Sequence, residues 1–74
     1  MMQVLGERVR KTRRGRDMLQ SELAAKAHLS VMTLSRLEHG TAKQVYGETI
    51  RALARALGVT TDYLLAMDLP DTKE

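Results

Sequence analysis

From Ser30 to His39 the chain reads S-V-M-T-L-S-R-L-E-H, with Leu34 and Leu37 at helical spacing. A helix that buries those two leucines turns Met32, Ser35, Arg36 and His39 to the opposite side, with Val31 at the edge of that face. Arg36 has the most specific chemistry there. Its guanidinium can donate two parallel hydrogen bonds to guanine O6 and N7, and such a pair discriminates between bases by about 1–3 kcal/mol. Val31 and Met32 cannot hydrogen-bond a base through their side chains. Against nucleic acid they would meet thymine methyls or exclude water; against a protein they would form an apolar contact, and the residues alone leave both open.

A second chemical feature is the basic cluster Arg8, Arg10, Lys11, Arg13, Arg14 and Arg16, which meets a single acid, Glu7, in the first sixteen residues. The formal net charge is +3, so the remainder is close to balanced and slightly acidic. A basic helix beside a neutral body gives a one-sided field suited to a polyanion. The alternative is a solvated charged face.

Other chemistries are poorly served. There is no Cys, which removes disulfides, thiolate metal sites and a thiol nucleophile. The two histidines, His28 and His39, lack the companions of a zinc site or of a base with its orienting carboxylate. No glycine-rich phosphate loop or metal motif occurs. The expectation is a binding protein without cofactor or metal, not an enzyme. No apolar run approaches the roughly 18–20 residues of a membrane span. Met1 to Leu5 meets charge too early for a signal-peptide core. A cytoplasmic location follows as an expectation, in keeping with the lack of Cys.

At 74 residues the chain has room for one domain. The pattern predicts an all-α fold of five helices. The first runs from about Leu5 to Arg16, with Leu5, Val9 and Thr12 on one face and Gly15 and Asp17 marking its end. The second runs from about Gln20 to Ala27, with Leu23, Ala24 and Ala27 inward; Leu19 is a poor cap for it. The third starts after Ser30, a good N-cap, and stops at Gly40, suited to a left-handed position. A polar loop covers Thr41 to Gln44. The fourth helix starts near Tyr46 or Gly47, buries Ile50, Leu53, Ala54 and Leu57, and ends at Gly58. Thr60 caps a short fifth helix to about Met67, with Asp62 in its first turn. The domain is expected to span residues 1–68, followed by a short tail over 69–74 that holds Pro70.

The second and third helices are joined by about three residues, His28-Leu29-Ser30. A steep crossing needs a small side chain where they meet, and Ala24 lies four residues before the turn. Leu29 can drop into the core beneath the turn, and Leu34 packs back on the Ala24 face. That spacing, with Leu23 and Leu37, is the signature of a helix-turn-helix.

At this point the sequence closely resembles the phage-repressor and Cro-like helix-turn-helix family, also called the xenobiotic-response-element family. The likeness runs over about residues 5–67, through L-G-E-R-V-R-K-T-R at 5–13, Q-S-E-L-A-A-K-A at 20–27 and L-S-V-M-T-L-S-R-L-E-H-G at 29–40. It continues through T-I-R-A-L-A-R-A-L-G-V at 49–59 and T-T-D-Y-L-L at 60–65. Any one block is weak; all of them in order are specific. The resemblance implies a compact five-helix, lambda-repressor-like domain whose third helix, about 31–39, lies in the major groove of double-stranded DNA.

The resemblance also implies roles. Val31, Met32, Ser35 and Arg36 would face bases. Gln20 would hold a phosphate at the start of the second helix. His39, Thr41 and Lys43 would touch the opposite backbone, and Ser30 would add a hydroxyl while capping. Arg13 and Glu38 would form a partly buried structural ion pair between the first and third helices. Four positions depart from the family pattern. His28 and Asp17 stand where Gly is usual in turns, Leu19 where a Thr or Ser caps the second helix, and Gly47 where Pro or Ser is common.

The function implied is sequence-specific DNA binding by a small transcriptional regulator, a repressor or autoregulator, bacterial or phage-encoded. A near-palindromic operator and a homodimer follow from the family, with an interface around Tyr63, Leu64, Met67 and Leu69. No effector or cleavage domain is read after the helix-turn-helix, so control would come from concentration, a partner or proteolysis. The competing reading is an adaptor or antitoxin-type module that uses the same surface on a protein.

Overall fold

A computed structural model describes residues 2–65. It contains α1 (Met2–Gly15), α2 (Gln20–Lys26), α3 (Val31–Glu38), α4 (Gly47–Leu57) and α5 (Thr61–Leu64), and no strand among the described residues. The tail over 69–74 and the domain boundary before it lie outside those residues; α5 ends at Leu64 with Leu65 as its C-cap, short of the expected Met67, which itself lies outside them. α1 begins three residues earlier than the apolar pattern suggests, since Met2, Gln3 and Val4 offer no breaker and the helix continues through them.

The core is aliphatic. Leu5 and Val9 of α1, Leu23 and Ala24 of α2, Ala27 after it, Leu34 and Leu37 of α3, Leu53, Ala54 and Leu57 of α4 and Leu64 of α5 are all buried. Leu29 and Ile50 are partly buried and pack against this cluster. α1 and α2 both pack on α3, while α4 closes the other side of α2 and carries α5. With Ala24 at the α2–α3 contact, the two helices approach without a large side chain between them.

Four helix ends close in the same way. Beyond α1, the Met18 and Asp17 N–H groups donate to the carbonyls of Arg13 and Arg14. Leu29 and His28 do the same to Ala24 and Ala25, Thr41 and Gly40 to Arg36 and Leu37, and Val59 and Gly58 to Ala54 and Arg55. This double bond satisfies the last carbonyls of a helix and requires a left-handed residue. Gly40 and Gly58 supply it at φ 74° and 73°, but Asp17 and His28 adopt it at φ 55° and 59° despite their side chains. The motif's turn is therefore made by a strained histidine.

Starting signals differ in quality. Ser30 Oγ accepts from the Thr33 N–H at 3.0 Å and Thr60 Oγ1 from the Tyr63 N–H at 3.0 Å. Leu19 offers no side-chain cap, and α2 is held at its start from the other direction: the Glu22 carboxylate accepts from the Leu19 N–H at 2.8 Å. That is half of a capping box.

Gly6 was not among the residues singled out by sequence, yet it decides how closely α1 meets α3. A Cβ at that position would collide with the Leu37 carbonyl oxygen and lie 2.9 Å from that of Glu38. No flexible side chain could yield there, because both atoms belong to backbone. Only glycine admits this approach of α1 to the end of α3.

Candidate nucleic-acid interface

The inner side of α3 is fixed by a polar hub. Arg13 Nε donates to Glu38 Oε2 at 2.7 Å and its Nη2 to Glu38 Oε1 at 3.0 Å. Its Nη1 donates to the Met18 carbonyl at 2.8 Å, which also ties in the connection after α1. Both side chains are withdrawn from solvent, to 9% and 1% exposure. Hydrogen bonding to Glu38 raises the Arg13 pKa above its ordinary value; burial opposes this, and the carboxylate's charge adds to it. The pair therefore holds a buried charge only because both partners are satisfied.

Gln20 joins this hub. Its Nε2 donates to Glu38 Oε1 at 3.0 Å, and the residue is half-buried. The family resemblance implies a phosphate contact for Gln20; the structure places its amide beside Glu38, with a second N–H and the amide oxygen left over. Three elements, α1, α2 and α3, thus meet on one carboxylate.

The outer side of α3 is different. Met32 is 63% exposed and Val31 46%. Arg36 and His39 are exposed, and Ser35 is half-buried. Met32, Arg36 and His39 fall within about 60° of one another around the helix axis, at spacings of four and three. His39 Nδ1 lies 2.7 Å from the Ser35 carbonyl, so this nitrogen carries the proton and Nε2 points elsewhere. Ser30 is committed locally: besides capping, its hydroxyl donates to Thr33 Oγ1 at 2.8 Å.

Beside this face runs an open groove of about 470 Å³, lined by Thr33, Arg36, Thr41, Ala42, Lys43 and Gln44. Two cations share it. Thr41 is exposed, and its hydroxyl donates to the Arg36 carbonyl at 3.3 Å, a long bond that a better acceptor can displace. The far end of the loop is braced by the Tyr46 hydroxyl donating to Gln44 Oε1. Thr33 and Gln44 belong to this groove and were not read as site residues. Three-residue spacing after the Ser30 cap could have flagged Thr33; Gln44 carries no local signal.

A match to a family model covers residues 9–64, under the description helix-turn-helix. The chain belongs to the Cro/C1-type helix-turn-helix family. Two solved structures show the same fold. The restriction-modification controller protein C.AhdI from Aeromonas hydrophila is 27% identical, with a TM-score of 0.81 over 85% of this chain and 94% of that one. The clp gene regulator ClgR from C. glutamicum is 31% identical, with a TM-score of 0.80 over 88% of this chain and 83% of that one. No curated protein matches the chain in sequence.

In this helix-turn-helix, α2 and α3 form the motif and α3 is its second helix, the one that enters the major groove in such domains. Two members of the basic cluster have partners within the domain, Arg13 in the interior and Arg8 at the surface. Arg13 is consumed by Glu38. Arg8 stacks on Tyr63, its Cζ 4.7 Å from the ring centre, and donates through Nη1 to the Tyr63 carbonyl at 3.0 Å. Lys11, Arg14 and Arg16 remain exposed. Of the residues expected at a dimer interface, Leu64 is fully buried within its own domain and cannot serve, because α5 packs on α4 and α1. Tyr63 is 37% exposed, and Met67 and Leu69 lie outside the described residues. No described helix is long and apolar enough to cross a membrane.

Proposed function

We propose that this helix-turn-helix protein is a sequence-specific double-stranded DNA-binding transcription regulator, working as a repressor or autoregulator in a bacterial or phage-infected cytoplasm. One observation carries the reading: α3 is clamped on its inner side by the core and the Arg13–Glu38–Gln20 hub while its outer side is left exposed beside a groove holding Arg36 and Lys43. A rigid helix with an unengaged outward face and adjacent cations suits entry into a major groove. Arg36 reads a guanine, with Val31, Met32 and Ser35 against neighbouring base edges. Lys43, Thr41, His39 and the free N–H of Gln20 hold the sugar-phosphate backbone; Ser30 can join them only by withdrawing its hydroxyl proton from Thr33 Oγ1.

Binding as a homodimer to a near-palindromic site would set the two α3 helices about 34 Å apart, one turn of duplex. Tyr63 and Val4 line a cleft with Glu7, Arg8 and Lys11 that a second copy could share. Sedimentation equilibrium with and without duplex checks the stoichiometry, and one copy on a single half-site would remove the dimer.

The second reading, a protein-binding adaptor or antitoxin-type module, draws on the exposure of Val31 and Met32. Salt separates the two. A DNA complex neutralising several phosphates loses affinity with a log–log slope of about −0.9 per phosphate. Titration of duplex DNA between low and moderate salt is expected to show that steep loss; no binding to duplex at low salt would favour the adaptor.

A further inference from the structure

We propose that Tyr46 is a positioning residue for DNA binding: its hydroxyl, acting through Gln44, holds the loop after α3 in the shape that presents Lys43 to a backbone phosphate. The proposal rests on the DNA-binding reading above and deepens it.

Neither packing nor capping accounts for a tyrosine at position 46. Its ring is 64% exposed, and although the residue stands at the N-cap of α4, its side chain makes no capping hydrogen bond. Its hydroxyl instead donates to Gln44 Oε1 at 2.5 Å. The loop that this bond closes has little else to shape it. Among the described residues, 42–45 take part in no backbone–backbone hydrogen bond, and the Tyr46–Gln44 bond is the one side-chain hydrogen bond that reaches them. Ala42 and Val45 are half-buried and pack against the core. The loop is thus pinned on both sides of a two-residue span, Lys43 and Gln44, and both residues of that span are exposed.

Two apolar pins fix where that span begins and ends, but not which way its side chains leave it. For Lys43 the direction matters. It shares a groove with Arg36, and no acid is among the residues lining that groove. Two like charges in one groove repel each other, so an unrestrained Lys43 turns away into solvent. A phosphate arriving there would then have to order a long, rotamer-rich side chain as well as bind it. Tying the Gln44 side chain to Tyr46 fixes the peptide between 43 and 44, and with it the direction in which Lys43 leaves the chain. The bond therefore keeps a cation in the groove before DNA is present. Tyr46 need not touch the duplex to affect binding; it acts through its neighbour's neighbour.

The test is a double-mutant cycle on the full chain, read by titrating the duplex it selects from random sequence at several salt concentrations. The chains are the native one, Tyr46→Phe, Gln44→Ala, Lys43→Ala and the pairs Tyr46→Phe with Lys43→Ala and Gln44→Ala with Lys43→Ala. All are titrated well below their unfolding midpoints, so that a lost fold does not imitate lost affinity. Tyr46→Phe removes only the hydroxyl and should weaken binding roughly two- to tenfold, the worth of one hydrogen bond. Gln44→Ala should do the same. Both should make the log–log salt slope shallower, by at most the about 0.9 that Lys43→Ala removes with its phosphate. Base preference should be unchanged, because a phosphate contact carries no sequence information. In the Lys43→Ala chain, neither change should weaken binding further. The proposal is overturned if Tyr46→Phe binds as the native chain does, or if Lys43→Ala leaves the slope unaltered. Additive effects in the cycle would also overturn it, since Tyr46 would then meet DNA on its own account, and so would a lost base preference, which would move the effect to Arg36. A native chain that binds its duplex while the cycle fails sinks this proposal alone; a native chain that selects no duplex sinks the DNA-binding reading with it.

Discussion

The two sides of α3 obey different rules. On the inner side Leu34, Leu37 and Glu38 are almost wholly withdrawn from water, and every polar atom of the Glu38 carboxylate is engaged. On the outer side Met32 and Arg36 make no contact that the fold needs. Eight residues thus serve two purposes with almost no overlap, and the helix can be rigid without its reading surface being specified by stability. The lesson is that a substitution on one side should register in unfolding and on the other in binding.

Glu38→Ala should give the largest effect. It strands the Arg13 guanidinium in a buried place and frees Gln20, and removing one partner of a buried pair costs about 3–5 kcal/mol. In a domain of this size each kcal/mol lowers the midpoint by roughly 4–8 °C. Thermal unfolding should therefore show a large drop, and an unchanged midpoint would break the division between the two sides.

Arg36→Ala should leave unfolding within about 0.5 kcal/mol of the native chain. Its effect belongs in binding: preference for one base pair in each bound copy's site should fall by about 1–3 kcal/mol. Selection from random duplexes with both chains measures it. Uniform weakening over all sequences would move Arg36 from base reading to the backbone.

The smallest effect concerns the turn that sets α3 at its angle. A side chain in the left-handed region costs roughly 1–2 kcal/mol, against about 0.5–1 kcal/mol of extra chain entropy for glycine. His28→Gly should therefore stabilise the domain by about 0.5–1 kcal/mol. Urea unfolding can resolve that gain, and DNA affinity should not change. A loss of stability would show that the His28 side chain contributes a contact outweighing its backbone strain.

Much of the architecture was legible because its signals are local. Ser30 caps and Gly40 ends α3 through bonds to residues three to five positions away, and the stripe in α4 is a matter of periodicity. The inward faces of α1 and α2 follow from the same spacing. The candidate site was legible in part. The outward set on α3 came from its wheel, and the roles of individual residues came from family resemblance. Thr33 and Gln44 were missed because the groove they share with Arg36 and Lys43 exists only when the loop folds back along α3.

The arginines of α1 show the same limit from another direction. Side by side in sequence they form one cationic block, yet Arg8 ends on Tyr63, 55 residues away, and Arg13 on Glu38, 25 residues away. Composition gave their charge but not the neighbour that would meet it.

By itself the chain's order of residues determined five helices, the caps of α3 and α5, the stops of α3 and α4, an aliphatic core and the membership of α3's outward face, since each depends on contacts within a turn or two. Tertiary structure alone decided that Gly6 lets α1 reach the carbonyls of α3, that Gln20 shares the Glu38 carboxylate, that Leu64 is interior, and that of the six basic residues in the first sixteen Arg13 is buried against Glu38 while Arg8 rests on Tyr63 at the surface. The reason is physical: these are close approaches between distant segments, and their distances are set by how whole helices pack.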